Sequence, residues 1–349
     1  MNDTTRTADD FYRARDLVLR FGWNTISYQI LNPGLLLWFS PTLDSVIGYV
    51  ATSTHHIVAG APICNDRDMT ESVLEFSTYT TSFKKKVCFF GAQERIATIL
   101  AQLSPTSSIL LGAQPIWTPR QWLDRSHAKP SLRAQFSRAA HKGVRIEFWE
   151  SRRATNSELL YHCLHDWIDG RHLPPMHFLV EPDTLEHLDD RIVAVAIRDD
   201  TIVGYCIASP IPMRSGWLIE QIIRRRTAPN GTTELLLEQL ILHLHSLGSR
   251  LITLGLSPLS RHYRSKKDHP LWLSTALRLT RLYGRYFYNF DGLDTFKAKF
   301  LPEEWEPVYA ITNERIPTPS TLYAIATAFS GMPPPLFVLK GIFKTFLKR

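Results

Sequence analysis

Trp217 to Leu247, WLIEQIIRRRTAPNGTTELLLEQLILHLHSL, is the stretch that decides the fold. An apolar run carrying one acid, Glu220, leads into three consecutive arginines, Arg224, Arg225 and Arg226. The turn Thr227-Ala228-Pro229-Asn230-Gly231 follows, and the apolar spacing after it predicts a helix over Thr233 to Leu247. In a strand–turn–helix unit the helix N-terminus offers unpaired N–H groups and partial positive charge to an anion. Arginines beside it add charged, planar donors suited to phosphate. The stretch therefore predicts a phosphate-bearing ligand held at Arg224, Arg225, Arg226, Asn230 and Gly231. The plainer alternative is a surface basic cluster at a strand end.

Working outward, the elements around this unit alternate. Val144 to Trp149 reads as a strand, Asn156 to Asp169 as a helix, and Arg191 to Arg198 and Thr201 to Ser209 as a hairpin around Asp199-Asp200. Leu251 to Leu256 reads as a strand, Trp272 to Leu282 as a helix and Trp305 to Thr312 as a last strand. The first part of the chain has a similar order. A helix over Asp9 to Arg20 precedes strands at Ser45 to Thr52 and His56 to Ala61. A helix through Phe76, a strand at Val87 to Phe90, a helix at Ala92 to Leu103 and a strand at Ser107 to Leu111 follow. Between the halves lies a basic helix, PSLRAQFSRAAHKG, with Arg133, Arg138, His141 and Lys142 along it and Gly143 as its C-cap. It reads as a solvated connector or as a rail for a nucleic-acid backbone. Mixed strands and alternating helices predict an α/β (α+β) class. The expected bounds are residues 1–128 for a first domain, 129–143 for the connecting helix, 144–315 for a second domain and 316–349 for a tail.

The chain has 349 residues, 44% apolar and 21% charged, which fits a globular protein of about two domains. A net charge of +7, 40 basic against 33 acidic side chains, points to anionic partners such as nucleic acid or a lipid surface. The four cysteines, Cys64, Cys88, Cys163 and Cys206, are scattered, and the N-terminus is polar. These features suggest free thiols and a cytoplasmic setting. No apolar run reaches the length of about 18 residues that a spanning helix needs. The histidine-rich stretch HCLHDWIDGRHLPPMH has no zinc-type spacing, so a helix followed by a proline loop is expected there, with no metal.

Three motifs in order carry a family resemblance: Ala228-Pro229-Asn230-Gly231 heading a helix, Leu254-Gly255-Leu256-Ser257-Pro258-Leu259-Ser260, and Phe287-Tyr288-Asn289-Phe290-Asp291-Gly292-Leu293 with Phe296-Lys297-Ala298-Lys299-Phe300 and Trp305-Glu306-Pro307-Val308-Tyr309. Together they resemble the C-terminal catalytic domain of phosphatidylglycerol lysyltransferases, the aminoacyl-phosphatidylglycerol synthases. The connecting helix resembles that family's as well. The resemblance implies tandem GNAT-like (acyl-CoA N-acyltransferase) domains, and transfer of an aminoacyl group from an aminoacyl-tRNA co-substrate to a membrane-lipid hydroxyl. It implies neither coenzyme A nor any other cofactor. Arginines where acetyltransferases carry glycines fit a tRNA end better than coenzyme A.

The same resemblance raises Glu220, Lys299 and Asp291 as catalytic candidates and Lys297 as a further phosphate ligand. Glu220 would bind the aminoacyl ammonium or act as a base; the alternative is an acid paired with a neighbouring arginine. Lys299 would contact phosphate, headgroup or oxyanion. Trp167, Arg171, His177, Ser257, Tyr288 and Asn289 are expected to wall the substrate pocket; of these, Trp167, Arg171 and His177 lie in the histidine-rich stretch, which departs from the lysyl-transfer pattern. In the tail LFVLKGIFKTFLKR, Lys340, Lys344 and Lys348 form one stripe, and Leu336, Leu339, Phe343 and Phe346 another. Such a helix suits an anionic membrane surface, with Lys340, Phe343, Lys344, Phe346 and Lys348 as contacts and the chain peripheral on the inner face of the cell membrane. Competing readings are Fem-like transfer to a cell-wall peptide precursor and a non-catalytic RNA- or membrane-binding protein.

Overall fold

A single sheet runs through the protein. The computed structural model describes residues 7–103, 105–170, 176–263, 272, 273, 275 and 289–347, with side chains described as far as 341. The first half consists of α1 (Ala8–Phe21), β1 (Leu36–Phe39), β2 (Val46–Ala51), β3 (His55–Ala59), α2 (Met69–Ser82), β4 (Lys86–Ala92), α3 (Glu94–Leu103) and β5 (Ser107–Trp117). Two helices, α4 (Pro119–Ala128) and α5 (Pro130–His141), lead to the second half. There β6 (Arg145–Trp149), α6 (Ser151–Ala154), α7 (Glu158–Asp169), β7 (Ile192–Arg198), β8 (Thr201–Ile211) and β9 (Gly216–Arg224) precede α8 (Thr232–Ser246). The chain continues through β10 (Leu251–Thr253), β11 (Ser257–Pro258), α9 (Phe290–Lys299), β12 (Glu304–Thr312), α10 (Pro319–Ser330) and α11 (Pro334–Leu347).

Each half repeats one motif: an antiparallel run, then a helical crossover to a parallel strand. In the first half β1, β2 and β3 are antiparallel and β3 lies parallel to β4 across α2. In the second, β6 to β9 are antiparallel and β9 lies parallel to β10 across α8. This is the GNAT-like order expected from the motifs. Local chemistry explains the pieces. Thr7 and Asp10 form a reciprocal capping box at α1, and Asp199 and Asp200, both at positive φ, make the tight β7–β8 turn.

The halves interlock. The sheet order is β1-β2-β3-β4-β12-β5-β10-β9-β8-β7-β6, with β11 also on β5. The strand that closes the second half, β12, is therefore inserted between β4 and β5 of the first. β5 in turn pairs with β10 of the second. Bounds drawn in chain order at residues 128, 143 and 315 thus do not coincide with a seam in the sheet. β5 also outruns its expected end at Leu111, because Gly112 (φ +149) admits the backbone of Ser257 and Leu259 where any side chain would collide.

Apolar layers cover both faces. In the second half, α4, α5 and α8 pack on one face through Trp122, Phe136, Leu236 and Leu240, and α7 packs on the other through Leu160 and Leu164. In the first half, α2 and α3 cover one face, while α1, the turn Ser27–Leu31 and α10 cover the other. The 316–349 segment is accordingly not one tail. α10 buries Ala324 and Ala328 in the core, and α11 follows it. The expected helix at Trp272 to Leu282 lies mostly outside the described residues.

Candidate functional site

The β9–α8 turn builds the site that its sequence promised. β9 delivers Arg224 at its end, and Arg225, Arg226 and Asn230 follow in the turn. Gly231 caps α8 at φ +98, a conformation glycine adopts freely. A Cβ at Gly231 would collide with the carbonyl oxygen of Gln135, so this glycine also lets α5 press against the start of α8. The result is a cleft of about 740 Å³ lined by turn and helix-start residues, by Gln135 and Arg138 of α5, by Trp167 and Gly170 at the end of α7, and by Leu293, Phe296 and Lys299 of α9.

Its charge is strongly one-sided. Among the described residues, Arg138, Arg224, Arg225, Arg226 and Lys299 line the cleft against one carboxylate, Glu234. Lys299 Nζ donates to Glu234 Oε1 (2.6 Å) and to the side-chain oxygen of Gln135, so the ammonium is held at the first turn of α8. Asp166 of α7 accepts from the backbone N–H of Arg226 (3.2 Å) and fixes the turn. Arg225 lies against the buried thiol of Cys163, which burial pushes up to about 11 while Arg225 pulls the other way. The side chains of Arg138 and Arg224 have no ion-pair partner among the described residues. Cations, a helix N-terminus and an apolar wall of Trp167, Ile222, Leu293 and Phe296 together suit a ligand that is anionic at one end and aromatic or apolar at the other.

The model of the family described as phosphatidylglycerol lysyltransferase, C-terminal, matches residues 15–312. The chain belongs to this family. Among curated relatives of this lysyltransferase family, the lysylphosphatidylglycerol biosynthesis bifunctional protein of Mycolicibacterium gilvum is 22% identical over 344 residues, 95% of this chain. The match spans only 30% of that relative's length. Among solved structures, the C-terminal domain assigned to a lysylphosphatidylglycerol synthetase of Agrobacterium fabrum superposes with a TM-score of 0.78 at 21% identity, covering 93% of this chain and 98% of that one. The L-PGS structure from Bacillus licheniformis gives a TM-score of 0.74 at 17% identity, covering 96% of each chain. FemX shares the fold at a TM-score of 0.50 and 7% identity, covering 78% of this chain and 92% of that one.

The lysyltransferase family fold brings some of the expected residues together and leaves others apart. Arg224, Arg225, Arg226, Asn230, Gly231, Trp167 and Lys299 meet in the cleft. Glu220 does not line it. Glu220 is the extra residue of a β-bulge, since Ile219 and Gln221 oppose the adjacent Ala208 and Ile207. Its carboxylate is buried against Arg191, 2.5 Å away, rather than against the arginines that follow it in sequence. Two residues further along β9, Ile222 reaches the cleft.

Lys297 corrects the expectation of a phosphate ligand. It is 5% exposed, and its Nζ donates to the carbonyls of Leu254, Gly255 and Leu256 at 2.8, 2.9 and 2.8 Å. All three ammonium hydrogens are engaged, and none is left for a phosphate. Burial lowers this amine to about 7, with Asp294 acting in the opposite direction.

Asp291, by contrast, is on the surface, 3.5 Å from Arg261 in an exposed pair. Asn289 caps α9 by accepting from the N–H of Gly292, and Ser257 donates its hydroxyl to the buried Asp294. His177 pairs with Glu181 at 2.8 Å and packs beside Gly331 after α10, away from the arginines. Arg171, Tyr288 and Lys348 lie outside the described residues, as do the side chains of Phe343, Lys344 and Phe346. Lys340 is exposed, next to exposed Leu336, Val338 and Leu339.

Sequence reasoning did not single out several cleft residues, Gln135, Glu234 and Phe296 among them, nor Arg191, the buried partner of Glu220 outside the cleft. Glu234 left a trace, an acid in the first turn of a helix that follows an arginine run. Arg191 left none, because its partner is 29 residues away and two strands intervene.

Proposed function

We propose that this chain transfers an aminoacyl group from an aminoacyl-tRNA to a hydroxyl of a membrane lipid of the phosphatidylglycerol kind, with the charged tRNA as co-substrate and no further cofactor. The observation that carries the reading is the cleft at the start of α8, where Arg138, Arg224, Arg225, Arg226 and Lys299 face one carboxylate. A tRNA end brings several phosphates, a base and an ester, which match the cations and the apolar wall. The α5 surface extends the charge: Arg133, His141 and Lys142 are exposed along it, in line with a nucleic-acid backbone passing there.

The chemistry needs little beyond placement. The donor ester is already activated, so a lipid hydroxyl oxygen attacks the acyl carbon and a new ester forms. The bond to the tRNA ribose oxygen breaks, and the hydroxyl proton ends on that oxygen. Such a reaction is accelerated by holding the partners in line and by stabilising the oxyanion. Lys299 and the α8 N-terminus would supply positive charge to the phosphate or the oxyanion. Glu220, buried against Arg191 and outside the cleft lining, would not take the proton, because a neutral Glu220 would leave Arg191 without its counter-charge.

The acceptor side is the apolar start of α11. Leu336, Val338 and Leu339 are exposed beside Lys340, a surface suited to an anionic bilayer. Among the described residues no single helix is long and apolar enough to cross a membrane; α10 and the start of α11 pass that test only as a pair bent by 48°. A peripheral position on the inner membrane face follows from the proposal.

The test is reconstitution. Purified protein, a mixture of charged tRNAs and phosphatidylglycerol vesicles are combined, and lipids are read by mass spectrometry. An aminoacylated lipid is expected, and its absence for every amino acid overturns the proposal. A parallel reaction with a cell-wall peptide precursor in place of lipid detects transfer to a peptide.

A further inference from the structure

β9 and β10 run together for three residues, Gly216–Leu218 against Leu251–Thr253, and then part. β9 stays on β8 as far as Arg224. The chain beyond Thr253 stays on β5, where Ser257 pairs with Ala113. Among the described residues no strand takes the β10-facing edge of β9 beyond Leu218. The split extends along β9 towards the arginine cleft, which Ile222 and Arg224 line. At Gly255 the backbone turns left-handed (φ +69), and the carbonyls of Leu254, Gly255 and Leu256 converge on the Lys297 ammonium. Three acceptors match the three N–H donors of an ammonium. Without it, three carbonyls in a buried segment would lack partners, a costly state. The edge of β9 that β10 leaves beyond Leu218 could supply N–H donors in its place.

We infer that Lys297 is a positioning residue: its ammonium replaces β9 as the partner of carbonyls 254–256 and so holds the β9–β10 split open beside the arginine cleft. Asp294, one turn earlier on α9, pins the same segment by accepting from Ser257 Oγ (2.8 Å) and from the N–H of Arg261 (3.4 Å). Lys299, two positions later, faces the cleft. One short helix thus sets both the width of the split and the placement of the cleft ammonium. Loss of the Lys297 ammonium lets residues 254–256 zip onto β9 and extends the β9–β10 pairing past Leu218.

The experiment uses the full chain with Lys297→Met and Lys297→Ala. Amide hydrogen exchange is followed over residues 219–224 and 251–258. In folded Lys297→Met the amides of 219–224 that point away from β8 are expected to exchange roughly tenfold more slowly, as an unpaired edge becomes paired. Unchanged or faster exchange there overturns the inference. Transfer activity, which rests on the function proposed above, is expected to lose about tenfold or more in kcat with little change in KM for charged tRNA, because the arginines are untouched. Ethylammonium should restore Lys297→Ala towards wild type, in transfer and in thermal stability, whereas tetramethylammonium, which has no N–H donors, should not. Equal effects of the two cations, or none from either, reduce Lys297 to packing and overturn its assigned role. If the wild-type chain transfers nothing, the proposed function fails, while exchange and the stability rescue still decide the role of Lys297. If Lys297→Met does not fold, the ethylammonium response of Lys297→Ala decides it.

Discussion

Arg191 and Glu220 form an ion pair at 2.5 Å whose side chains are 1% and 2% exposed, and the pair joins the two halves of the molecule. Arg191 also donates to Asn32 Oδ1 (2.5 Å) and to the carbonyl of His187, and it lies over the ring of Tyr28. Asn32 and Tyr28 belong to the first half; Glu220 is the bulge of β9 in the second. Removing one charge strands the other in the interior, at a cost of about 3–5 kcal/mol. Glu220→Gln and Arg191→Met should each lose stability on that scale in urea unfolding. The double variant Arg191→Met/Glu220→Leu should recover most of the loss. Equal losses in the single and double variants would show that the interface, not the charge pair, is responsible.

The cleft arginines and Lys299 should separate in kinetics. Arg224→Ala and Arg226→Ala remove phosphate contacts, so each should weaken charged-tRNA binding and lower its salt slope by about 1. Lys299→Ala should also lower kcat, by about 10²–10³ if its charge meets the oxyanion. Glu234→Gln removes the one carboxylate of the cleft and should tighten donor binding. Filter binding over a salt series, combined with single-turnover transfer, distinguishes these outcomes. A Lys299→Ala variant with full kcat and only a raised Kd would place Lys299 with the phosphate ligands.

Glu306 of β12 carries a pH signature. Its carboxylate accepts from Arg214 (2.5 and 3.1 Å), Gln93 (3.0 Å) and Gln114 (3.0 Å). Burial pushes the carboxyl up, but the Arg214 pair and the amide donors outweigh burial and hold it below its ordinary 4.5. A carboxyl lowered in the folded state contributes stability above its unfolded value and loses it as pH falls through the folded one. Stability should therefore fall as pH drops below about 4.5, and Glu306→Gln should flatten that acid limb. The stability gap between wild type and Glu306→Gln, measured by urea unfolding, should narrow as pH falls. A gap independent of pH would mean that Glu306 acts only through packing.

How much of this was legible beforehand depended on the range of each interaction. The β9–α8 unit was readable because its strand, arginines, turn and helix are contiguous, and all three arginines do line the cleft. Lys299 was readable through its motif. The local pattern failed where partners are distant. Lys297 looks like any lysine on a helix, and only the fold brings it to carbonyls about forty residues earlier. Glu220 advertised a buried acid correctly, yet its neighbours in sequence suggested the wrong arginine. β12 carried a strand pattern with no hint that it would insert between β4 and β5, since alternation specifies a face and not a neighbour. The strand expected over Ser107 to Leu111 runs on through Gly112 and Pro115 to Trp117.

The exposed start of α11 gives a final prediction. Leu336, Val338 and Leu339 are 52%, 41% and 49% exposed, an apolar patch that the body of the protein leaves uncovered. α10, just before it, is held by buried Ala324 and Ala328, so changes at Leu336 and Leu339 should leave the fold intact. Burying a leucine side chain in lipid is worth about 1.5–3 kcal/mol, and each lysine near an anionic surface adds about 1 kcal/mol. Leu336→Asp/Leu339→Asp should therefore release the protein from phosphatidylglycerol vesicles in a sedimentation assay. Lys340→Ala should weaken binding less, and chiefly at low salt. Transfer to lipid presented in vesicles should fall with binding, while transfer to a short-chain lipid dispersed in detergent should persist. Vesicle binding unchanged in the double aspartate variant would move the membrane contact away from α11.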